Sequence, residues 1–348
     1  MNNKYRLLFL ALFIFILVIF WLHPLSFLGG FLKPVSVFSQ IVTGAKLKST
    51  DGRTNILLLG LDRREGDAGR TDSILFLSLD FREKSAVALS LPRDLWVPPL
   101  RAKINAAYAY GGLTKTTEMT GRILGVPIHY YASIDFGGFE KAVDLLGGLE
   151  LTVARTFDDY YYPIPGREND TCGTPSPTPG GAEASPSSEK DYACRYDHLH
   201  FSAGLQRMDG KMALKFVRSR HAEGAEGSDL ARAGRQQLVA LAVLRRAISL
   251  DFILNPGRIQ ELLSAFSQSV ETNLGVVEIE KFFNLGREIK PAQVRTVVLG
   301  DNYLYSPVDS GPYDYQWVLV PKAGDFSEIQ AYIQRLLFGA GEIEKPVE

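Results

Sequence analysis

The sequence predicts a layered α/β domain, with helices on both faces of a central sheet, preceded by one transmembrane helix. Three observations support this prediction. Short apolar runs typical of strands alternate with longer periodic runs typical of helices. Of the 348 residues, 46% are hydrophobic and 22% are charged, which is ordinary for a globular protein. A long apolar run also lies near the amino terminus. The composition excludes mainly disordered, collagenous and coiled-coil chains.

The amino-terminal run indicates a membrane anchor. Residues 7–22 are uninterrupted apolar residues, and the apolar character resumes after Pro24. About 20 such residues cross a bilayer, so we predict a short cytoplasmic tail at 1–6 and a transmembrane anchor at 7–28. A cleaved signal peptide is the alternative, but the absence of a clear small-residue cleavage site favours retention. The chain is therefore expected in the cell membrane as a single-pass protein, with its folded part extracytoplasmic.

A linker at 29–53 precedes the folded part, in which strands and helices alternate. The predicted strands are 54–60, 73–79, 85–91 and 128–134. The predicted helices cover about 114–124, 138–146, 209–218 and 229–250. Together they form a domain at 54–250.

The remaining residues, 251–348, are predicted to form a carboxy-terminal α/β part packed on that domain. Asn255 as cap and Pro256 at the first helical position indicate the start of a helix. The further predicted elements are a helix near 276–288, strands at 294–299 and 315–320, and a helix near 326–338.

An insert at about 157–200 interrupts this pattern. Fourteen of the eighteen residues at 171–188 are Pro, Gly, Ser or Thr, a composition that does not form a core. Cys172 and Cys194 bracket this stretch, and outside the cell we expect them to form a disulfide at its base. Two unpaired thiols are the alternative. With two cysteines and five histidines in the chain, a zinc-ribbon or iron–sulfur framework is excluded.

The charge distribution favours a small anionic ligand over a nucleic acid. Lys plus Arg total 38 and Asp plus Glu total 39, a net charge of -1, whereas nucleic-acid binders carry a basic excess. Locally the balance differs, because seven basic residues and three acidic ones lie between Lys215 and Arg246. We therefore expect a concentrated cationic pocket.

Arginine and aspartate side chains gather where the predicted strands and helices end. These candidate residues are Asp62, Arg70, Asp72, Arg93, Asp94, Lys103, Arg218, Arg220, Arg232 and Gln236. In open α/β sheets, ligands bind at strand ends. Guanidinium groups bind oxyanions in bidentate fashion, and two carboxylates with water can hold a hard divalent cation. Any one Arg–Asp pair alone is more typical of a surface ion pair, but the set together indicates a pyrophosphate–metal site.

The sequence resembles the LytR–CpsA–Psr (LCP) family of bacterial cell-wall glycopolymer ligases. The resemblance runs from about residue 54 to residue 249. It is carried by several motifs in order, among them LLLGLDRR, GRTDSILFLSLD, SLPRDLWVP, KINAAYAYGG, LQRMDGKMALKFVRSR and DLARAGRQQ. It implies a three-layer α/β/α sandwich with a mixed central sheet.

The resemblance also implies roles for the candidate residues. Pyrophosphate would be bound by Arg70, Arg93, Lys103, Arg218, Arg220, Arg232 and Gln236. Asp62 and Asp72 would hold Mg²⁺ or Mn²⁺ and, with Arg93 and Arg218, form the catalytic set. Asp94 would orient Arg93.

The implied activity is that of a phosphotransferase at the outer membrane face. It would move a glycopolymer from a polyprenyl-pyrophosphate carrier to a hydroxyl of peptidoglycan or a related wall polymer. The expected partners are this donor, the wall acceptor and the membrane, with no nucleic acid. Apolar residues at 134–149 and 238–244 would line a prenyl tunnel or belong to the ordinary core. Two alternatives to transfer are hydrolysis of the lipid pyrophosphate and a non-catalytic membrane-bound regulator of the envelope, of the transcriptional attenuator type.

Overall fold

The computed structural model describes residues 46–63, 69–173, 189–247, 261 and 269–339. The predicted tail at 1–6, the anchor at 7–28 and the helix starting at Asn255 lie outside these residues. Within the described ranges, no helix combines the length and apolar character that a membrane crossing requires.

The chain divides into two compact units, and the elements that carry the candidate site belong to one of them. The first unit comprises Met1–Leu47 and Gly275–Lys281, and the second comprises Lys48–Leu274 and Phe282–Glu348. In the described part of the first unit, the backbone N–H of Gly275 donates to Glu278 Oε2 at a helix start.

The alternation of strands and helices predicted from the sequence is present. The strands are β1 (Arg53–Asp62), β2 (Arg70–Asp80), β3 (Ser85–Leu91), β4 (Trp96–Val97), β5 (Ala102–Lys103), β6 (Tyr130–Asp135), β7 (Leu149–Val153), β8 (Phe157–Pro163), β9 (Tyr196–Phe201), β10 (Gly204–Met208), β11 (Val270–Thr272), β12 (Val294–Val298), β13 (Leu304–Tyr305) and β14 (Val320–Pro321). The helices are α1 (Ala107–Leu124), α2 (Phe136–Leu145), α3 (Gly210–Arg218), α4 (Asp229–Ala247), α5 (Val276–Glu288) and α6 (Ser327–Phe338).

The central sheet is mixed, with the strand order β11-β6-β1-β2-β3-β12. Strand β6 runs parallel to β1, and β12 runs parallel to β3. The other neighbouring strands are antiparallel. The edge strands β11 and β12 come from the predicted carboxy-terminal part, 251–348, so that part contributes to the same sheet as the strands of the predicted domain at 54–250.

Helices cover both faces of this sheet. On one face, Leu57 and Leu59 of β1 are buried in a cluster with side chains of α1 and α6. On the other, Gln237 of α4 donates to Ser90 Oγ at 3.0 Å and to the carbonyl oxygen of Val297 at 2.7 Å. Successive strand residues point to opposite faces, and the two neighbours of Ser90 on β3 belong to the first cluster. Helix α4 therefore packs on the face opposite α1.

A second hydrophobic cluster lies beneath the β8–β9 hairpin. Phe157 and Phe201 face each other across the hairpin and stack at 5.1 Å between ring centroids, and Phe216 of α3 packs against both. The stretch expected to lack a core, 171–188, lies mostly outside the described residues, whereas the two ends of the insert at 157–200, for which no strand was predicted, form β8 and β9. The Tyr, Asp and His residues that cluster in β8 and β9 do not show in the sequence which positions are buried and which are exposed.

Two other predicted elements differ from the structure. The strand expected at 315–320 is wrong, because Asp314 and Tyr315 adopt left-handed backbone angles, with φ of 54° and 58°. Pairing begins later than predicted, with a bridge between Leu319 and Leu95 and the pairing of Val320 and Pro321 with β13. Helix α1 begins earlier than predicted, at Ala107, but non-helical angles at Gly111 and Gly112 interrupt it just before the predicted start at 114.

Candidate active site

The predicted site residues converge on one cleft at an edge of the central sheet. The cleft has a volume of about 760 Å³. Its lining includes Asp62, Arg70, Asp72, Arg93, Asp94, Lys103, Arg218 and Arg220. Because β2 is antiparallel to β1 and β3, the end of β1, the start of β2 and the end of β3 meet at the same edge. Strand pairing places Asp62 directly opposite Arg70.

Two aspartates and three cations form an ion-pair network across the cleft. Asp72 Oδ1 accepts from Arg93 Nη1 at 2.5 Å, and Asp72 Oδ2 lies 3.5 Å from Arg220 Nη2. Asp94 Oδ2 lies 3.3 Å from Arg93 Nε, and Asp94 Oδ1 lies 2.8 Å from Lys103 Nζ. Asp94 thus orients Arg93, and both carboxylates are shared between two cations.

The two remaining candidates lie on α4 beside the network. Gln236 Oε1 accepts from the hydroxyl of Ser73, the neighbour of Asp72 on β2, at 3.1 Å. Arg232 forms an ion pair with Asp229 at 2.6 Å. They are one helical turn apart, as the sequence predicts for neighbours on one face.

The positive charge of the arginines in the cleft exceeds the negative charge of the carboxylates beside them. Burial, with repulsion from Arg93 and Arg232, lowers the pKa of Arg220 to about 10. Burial also lowers the pKa of Arg232, and repulsion from Arg93 adds to that effect although Asp229 opposes it. Crowded cations with depressed pKa values are stabilised by an anion. The cleft is therefore electrostatically suited to a phosphate-containing ligand.

Arg218 reaches the cleft because α3 ends at that residue. Ser219 leaves the helix with ψ of 130°, which separates Arg218 from Arg220 as the spacing predicts. The Arg218 guanidinium lies 4.2 Å from the centroid of the Phe136 ring. Burial raises the pKa of the neighbouring Tyr162, which keeps its hydroxyl protonated at the wall of the cleft.

Asp159, which the sequence reasoning missed, holds the turn that follows Arg218. Its carboxylate is fully buried. Oδ2 accepts from Ser219 Oγ at 2.6 Å and from the backbone N–H groups of Arg220 and His221 at 3.1 and 3.2 Å. Oδ1 accepts from the backbone N–H of Tyr161 at 3.0 Å. The cleft-lining turn is therefore fixed to strand β8.

Arg235 holds the same turn from the other side and was also missed. Its buried guanidinium donates to the carbonyl oxygens of Phe216 and Ser219 at 3.1 and 2.8 Å. It also binds Glu226 through the backbone carbonyl and the side chain. The signal available in the sequence was its position three residues after Arg232 in the motif RAGRQQ.

The carboxylate oxygens in the cleft are of the kind that binds a hard divalent cation. Asp62 lines the cleft, and its carboxylate has no side-chain partner among the residues that the structure describes. Asp72 lies in the same cleft with its two oxygens facing Arg93 and Arg220. Carboxylates, water and phosphate oxygens are the ligands that Mg²⁺ prefers, so Asp62 and Asp72 would hold such an ion.

A disulfide joins Cys172 and Cys194 within the β8–β9 hairpin. The apolar residues considered for a prenyl tunnel, on α2 and α4, pack in the hydrophobic clusters of this part of the fold. They include Val143 and Val239, which are buried, and Leu238, which is partly buried.

Comparison with known proteins decides the family. The model of the LytR_cpsA_psr family matches residues 33–329. The chain belongs to the LytR_cpsA_psr family. This confirms the family that the motifs predicted.

The similar curated proteins include named transferases. The polyisoprenyl-teichoic acid–peptidoglycan teichoic acid transferase TagU of Bacillus cereus is 29% identical over 224 residues, which cover 63% of this chain and 60% of that protein. The TagV transferase of Bacillus subtilis is 28% identical over 232 residues, covering 64% of this chain and 50% of that protein. The chain thus spans about 60% of the length of the first of these relatives.

Solved structures share the fold of this LytR_cpsA_psr member. The crystal structure of B. subtilis TagV has a TM-score of 0.58 at 24% identity, covering 83% of this chain and 98% of that one. A structure of TagT bound to LI-WTA has a TM-score of 0.55 at 23% identity, covering 83% and 94%. These similarities confirm the mixed α/β fold.

Proposed function

We propose that this member of the LytR_cpsA_psr family is a phosphotransferase that attaches a polyprenyl-pyrophosphate-linked glycopolymer to a hydroxyl of peptidoglycan or a related wall polymer. The observation that carries the proposal is the cationic network of one cleft, in which Asp72 lies between Arg93 and Arg220. The names of the relatives, which describe transfer of teichoic acid to peptidoglycan, support a polymer as the transferred group and the wall as the acceptor.

The pyrophosphate of the donor is the ligand that we assign to the surplus cations. Arg93 and Arg220 can turn from Asp72 to phosphate oxygens, and Arg218 has no carboxylate partner among the ion pairs of the described residues. Arg70 and Lys103 extend the cationic lining, while Arg232 and Gln236 support it from α4. Arginine forks pair with phosphate oxygens in bidentate fashion, so several of them can orient a pyrophosphate without covalent chemistry.

The reaction is a displacement at phosphorus. The hydroxyl oxygen of the acceptor forms a bond to the phosphorus that carries the glycopolymer, and the bond from that phosphorus to the bridging oxygen breaks. Undecaprenyl phosphate leaves with the electron pair. Positioning and charge neutralisation account for most of the catalysis in such transfers. Arg93 and Arg218 are placed to neutralise the oxygens on which charge increases.

The hydroxyl proton requires an acceptor, and we assign Asp62. Asp72 and Asp94 are each shared between two cations, so their oxygens are already in use. Asp62 lacks such a partner within the described part of the chain. Mg²⁺ or Mn²⁺ held by Asp72 and one carboxylate oxygen of Asp62 would supply further positive charge at the phosphate oxygens, and the other oxygen of Asp62 would accept the proton.

We place the reaction on the extracytoplasmic side of the cell membrane, in a chain anchored once by residues 7–28. The support is the apolar run of the sequence and the Cys172–Cys194 disulfide. Disulfides of this kind form and persist in oxidising compartments and are rare in the cytosol.

The test is a product analysis with the full chain in detergent micelles. It is mixed with undecaprenyl-pyrophosphate-linked teichoic acid and Mg²⁺, with and without peptidoglycan. Polymer joined to peptidoglycan is the expected product. Free phosphate-terminated polymer in both reactions would instead show a hydrolase, and unchanged donor would favour a non-catalytic regulator.

The matched variants are Arg93→Ala and Arg218→Ala. Each removes a cation that would contact the transition state, so transfer should fall at least 100-fold, the scale of losing one oxyanion donor. The Tm of Arg218→Ala should change little, because this side chain lines the cleft without a carboxylate partner among the described residues, whereas Arg93→Ala should also lower the Tm because two ion pairs are lost. Full activity in both variants would reject the site.

A further inference from the structure

Three exposed aromatic side chains belong to the segments that line the cleft. Tyr110 is 65% exposed, Tyr315 is 86% exposed and Trp317 is 53% exposed. Tyr110 lines the cleft itself. Asp314 and Gln316, which alternate along the chain with Tyr315 and Trp317, line it too. Tyr315 and Trp317 are therefore next in the chain to polar residues of the cleft wall.

Hydrogen bonds fix this loop to the catalytic part of the fold. The backbone N–H of Leu319 donates to the carbonyl oxygen of Asp94 at 3.0 Å, and that of Trp96 donates to Leu319 at 2.8 Å. The Lys103 ammonium lies 6.0 Å from the Trp317 ring centroid, and the same ammonium binds Asp94. The exposed rings are thus held beside the proposed pyrophosphate site.

The backbone of the loop is strained where it presents Tyr315. Asp314 and Tyr315 follow one another in the left-handed region, with φ of 54° and 58°. A bulky residue there is uncommon, and such strain persists mainly where a ligand site requires it. With 86% of the side chain exposed, Tyr315 contributes little burial to the fold.

The charge of the loop at 301–316 limits the kind of ligand that it can bind. Residues 301–316 contain Asp301, Asp309 and Asp314 but no Lys or Arg. The loop itself therefore adds negative charge beside Arg101 and Lys103 of the cleft lining, which makes it a poor binding surface for a further anion such as an anionic polymer. A neutral sugar ring suits it, because its C–H face can pack on an aromatic face while carboxylate and amide groups accept and donate hydrogen bonds to its hydroxyls.

We propose that Tyr110, Tyr315 and Trp317, with Asp314 and Gln316, form a subsite for a sugar ring of the acceptor glycan. The inference rests on the proposed function, because it assigns the acceptor's side of the same cleft. The subsite holds the glycan on Tyr110 and the loop while the arginines hold the pyrophosphate. An acceptor hydroxyl is thereby brought toward the phosphorus.

Binding is tested without catalysis, by titration calorimetry of the full chain in detergent micelles with the tetramer of N-acetylglucosamine. The wild type should bind the tetramer. Trp317→Ala and Tyr315→Asn should each weaken binding about tenfold, the size expected for losing one aromatic stacking contact. Asparagine tolerates the left-handed conformation, so Tyr315→Asn removes the ring without adding backbone strain.

Tyr160→Ala is the matched control. Tyr160 is 47% exposed and stacks on His198, and it is not part of the cleft lining. This variant should bind the tetramer as the wild type does. No binding by the wild type, or equal weakening in all three variants, would overturn the subsite.

Kinetics supply the second readout. In the transfer assay, Trp317→Ala and Tyr315→Asn should raise KM for the acceptor about tenfold and leave kcat and the donor KM within about twofold. A raised donor KM with an unchanged acceptor KM would overturn the proposal. If the wild type binds the tetramer through these rings but transfers nothing, the proposed function fails and the sugar subsite stands. If transfer proceeds and the rings do not affect acceptor KM, the subsite fails alone.

Discussion

Arg220 illustrates, at the residue scale, how the cleft is prepared for an anion. Arg220 Nη2 forms an ion pair with Asp72 Oδ2 at 3.5 Å, and the Arg220 side chain is 34% exposed. Burial and the nearby cations Arg93 and Arg232 lower its pKa to about 10. Because the pKa is lower in the folded chain than in the unfolded chain, the charged form is disfavoured by folding at neutral pH. That destabilisation is relieved as the pH rises through about 10.

Arg220→Gln should therefore have opposite effects on stability and binding. Removing the disfavoured charge should raise the Tm of the free protein by a small amount, on the order of 1–3 °C after screening by solvent. Affinity for inorganic pyrophosphate should fall at least tenfold, since a charge-assisted contact is lost. Thermal unfolding with and without pyrophosphate measures both effects. A lower Tm in the variant without ligand would contradict the assignment.

Most of the residues of the site could be predicted, whereas their pairing could not. Asp62, Arg93 and Arg220 stand at ends of elements, which the sequence pattern locates. That Asp72 lies between Arg93 and Arg220 depends on the register of β2 against its neighbours and on where α3 ends in space. Asp159 was missed because it lies in a strand whose residues, FDDYYYP, lack a clear alternation of apolar and polar side chains.

At the scale of elements, the β8–β9 hairpin supports the turn that carries Arg220. Besides the side chain of Asp159, the carbonyl oxygen of Asp158 accepts from the backbone N–H of Glu223 at 3.1 Å. The turn that carries Arg220 is thus bonded to β8 at several points. The hairpin that contains the disulfide is a structural support of the site.

Asp159→Asn tests this support. An amide keeps the shape but turns one oxygen into a donor facing an N–H group, so the turn should shift. Displacing a catalytic group by about 1 Å can cost on the order of 100-fold, and we expect kcat/KM for transfer to fall about 10- to 100-fold. The loss should be much smaller when Arg220 is already Ala, because Asp159 acts through that residue.

The control for this variant is Asp158→Asn, the same change one residue earlier. Asp158 faces solvent and binds His198 and His200 at 2.8 and 2.9 Å, so activity should remain within about twofold of the wild type. Equal, additive losses from Asp159→Asn in the wild-type and Arg220→Ala backgrounds would reduce Asp159 to a purely structural residue.

Elements with strong periodicity were predictable, and those formed by tertiary context were not. β1, β2 and β3 have continuous or alternating apolar runs, and their positions agree with the sequence. The 315–320 strand was wrong over most of its length because left-handed angles at Tyr315 exclude an extended start, and Val318 is buried against Trp96 before the short pairing at Leu319 and Val320 begins. Apolar runs of this length do not distinguish a buried loop from a strand.

At the scale of the whole molecule, the mixed sheet explains why distant motifs form one site. Two parallel strands, β1 and β3, flank the antiparallel β2, so the motifs at the end of β1, the start of β2 and the end of β3 meet where these strands end. Helix α3 adds Arg218 there, and the loop at 310–319 adds exposed aromatic side chains. The sheet order itself was beyond the sequence pattern, because edge strands β11 and β12 join from more than 100 residues away in the chain.

A crystal structure of this chain with a bound prenyl pyrophosphate and Mg²⁺ tests the proposed pyrophosphate site most directly. We expect the phosphate oxygens to contact Arg93, Arg218 and Arg220, with Asp62 and Asp72 next to the cation. A pyrophosphate bound elsewhere, with Asp72 still held between Arg93 and Arg220, would contradict this expectation.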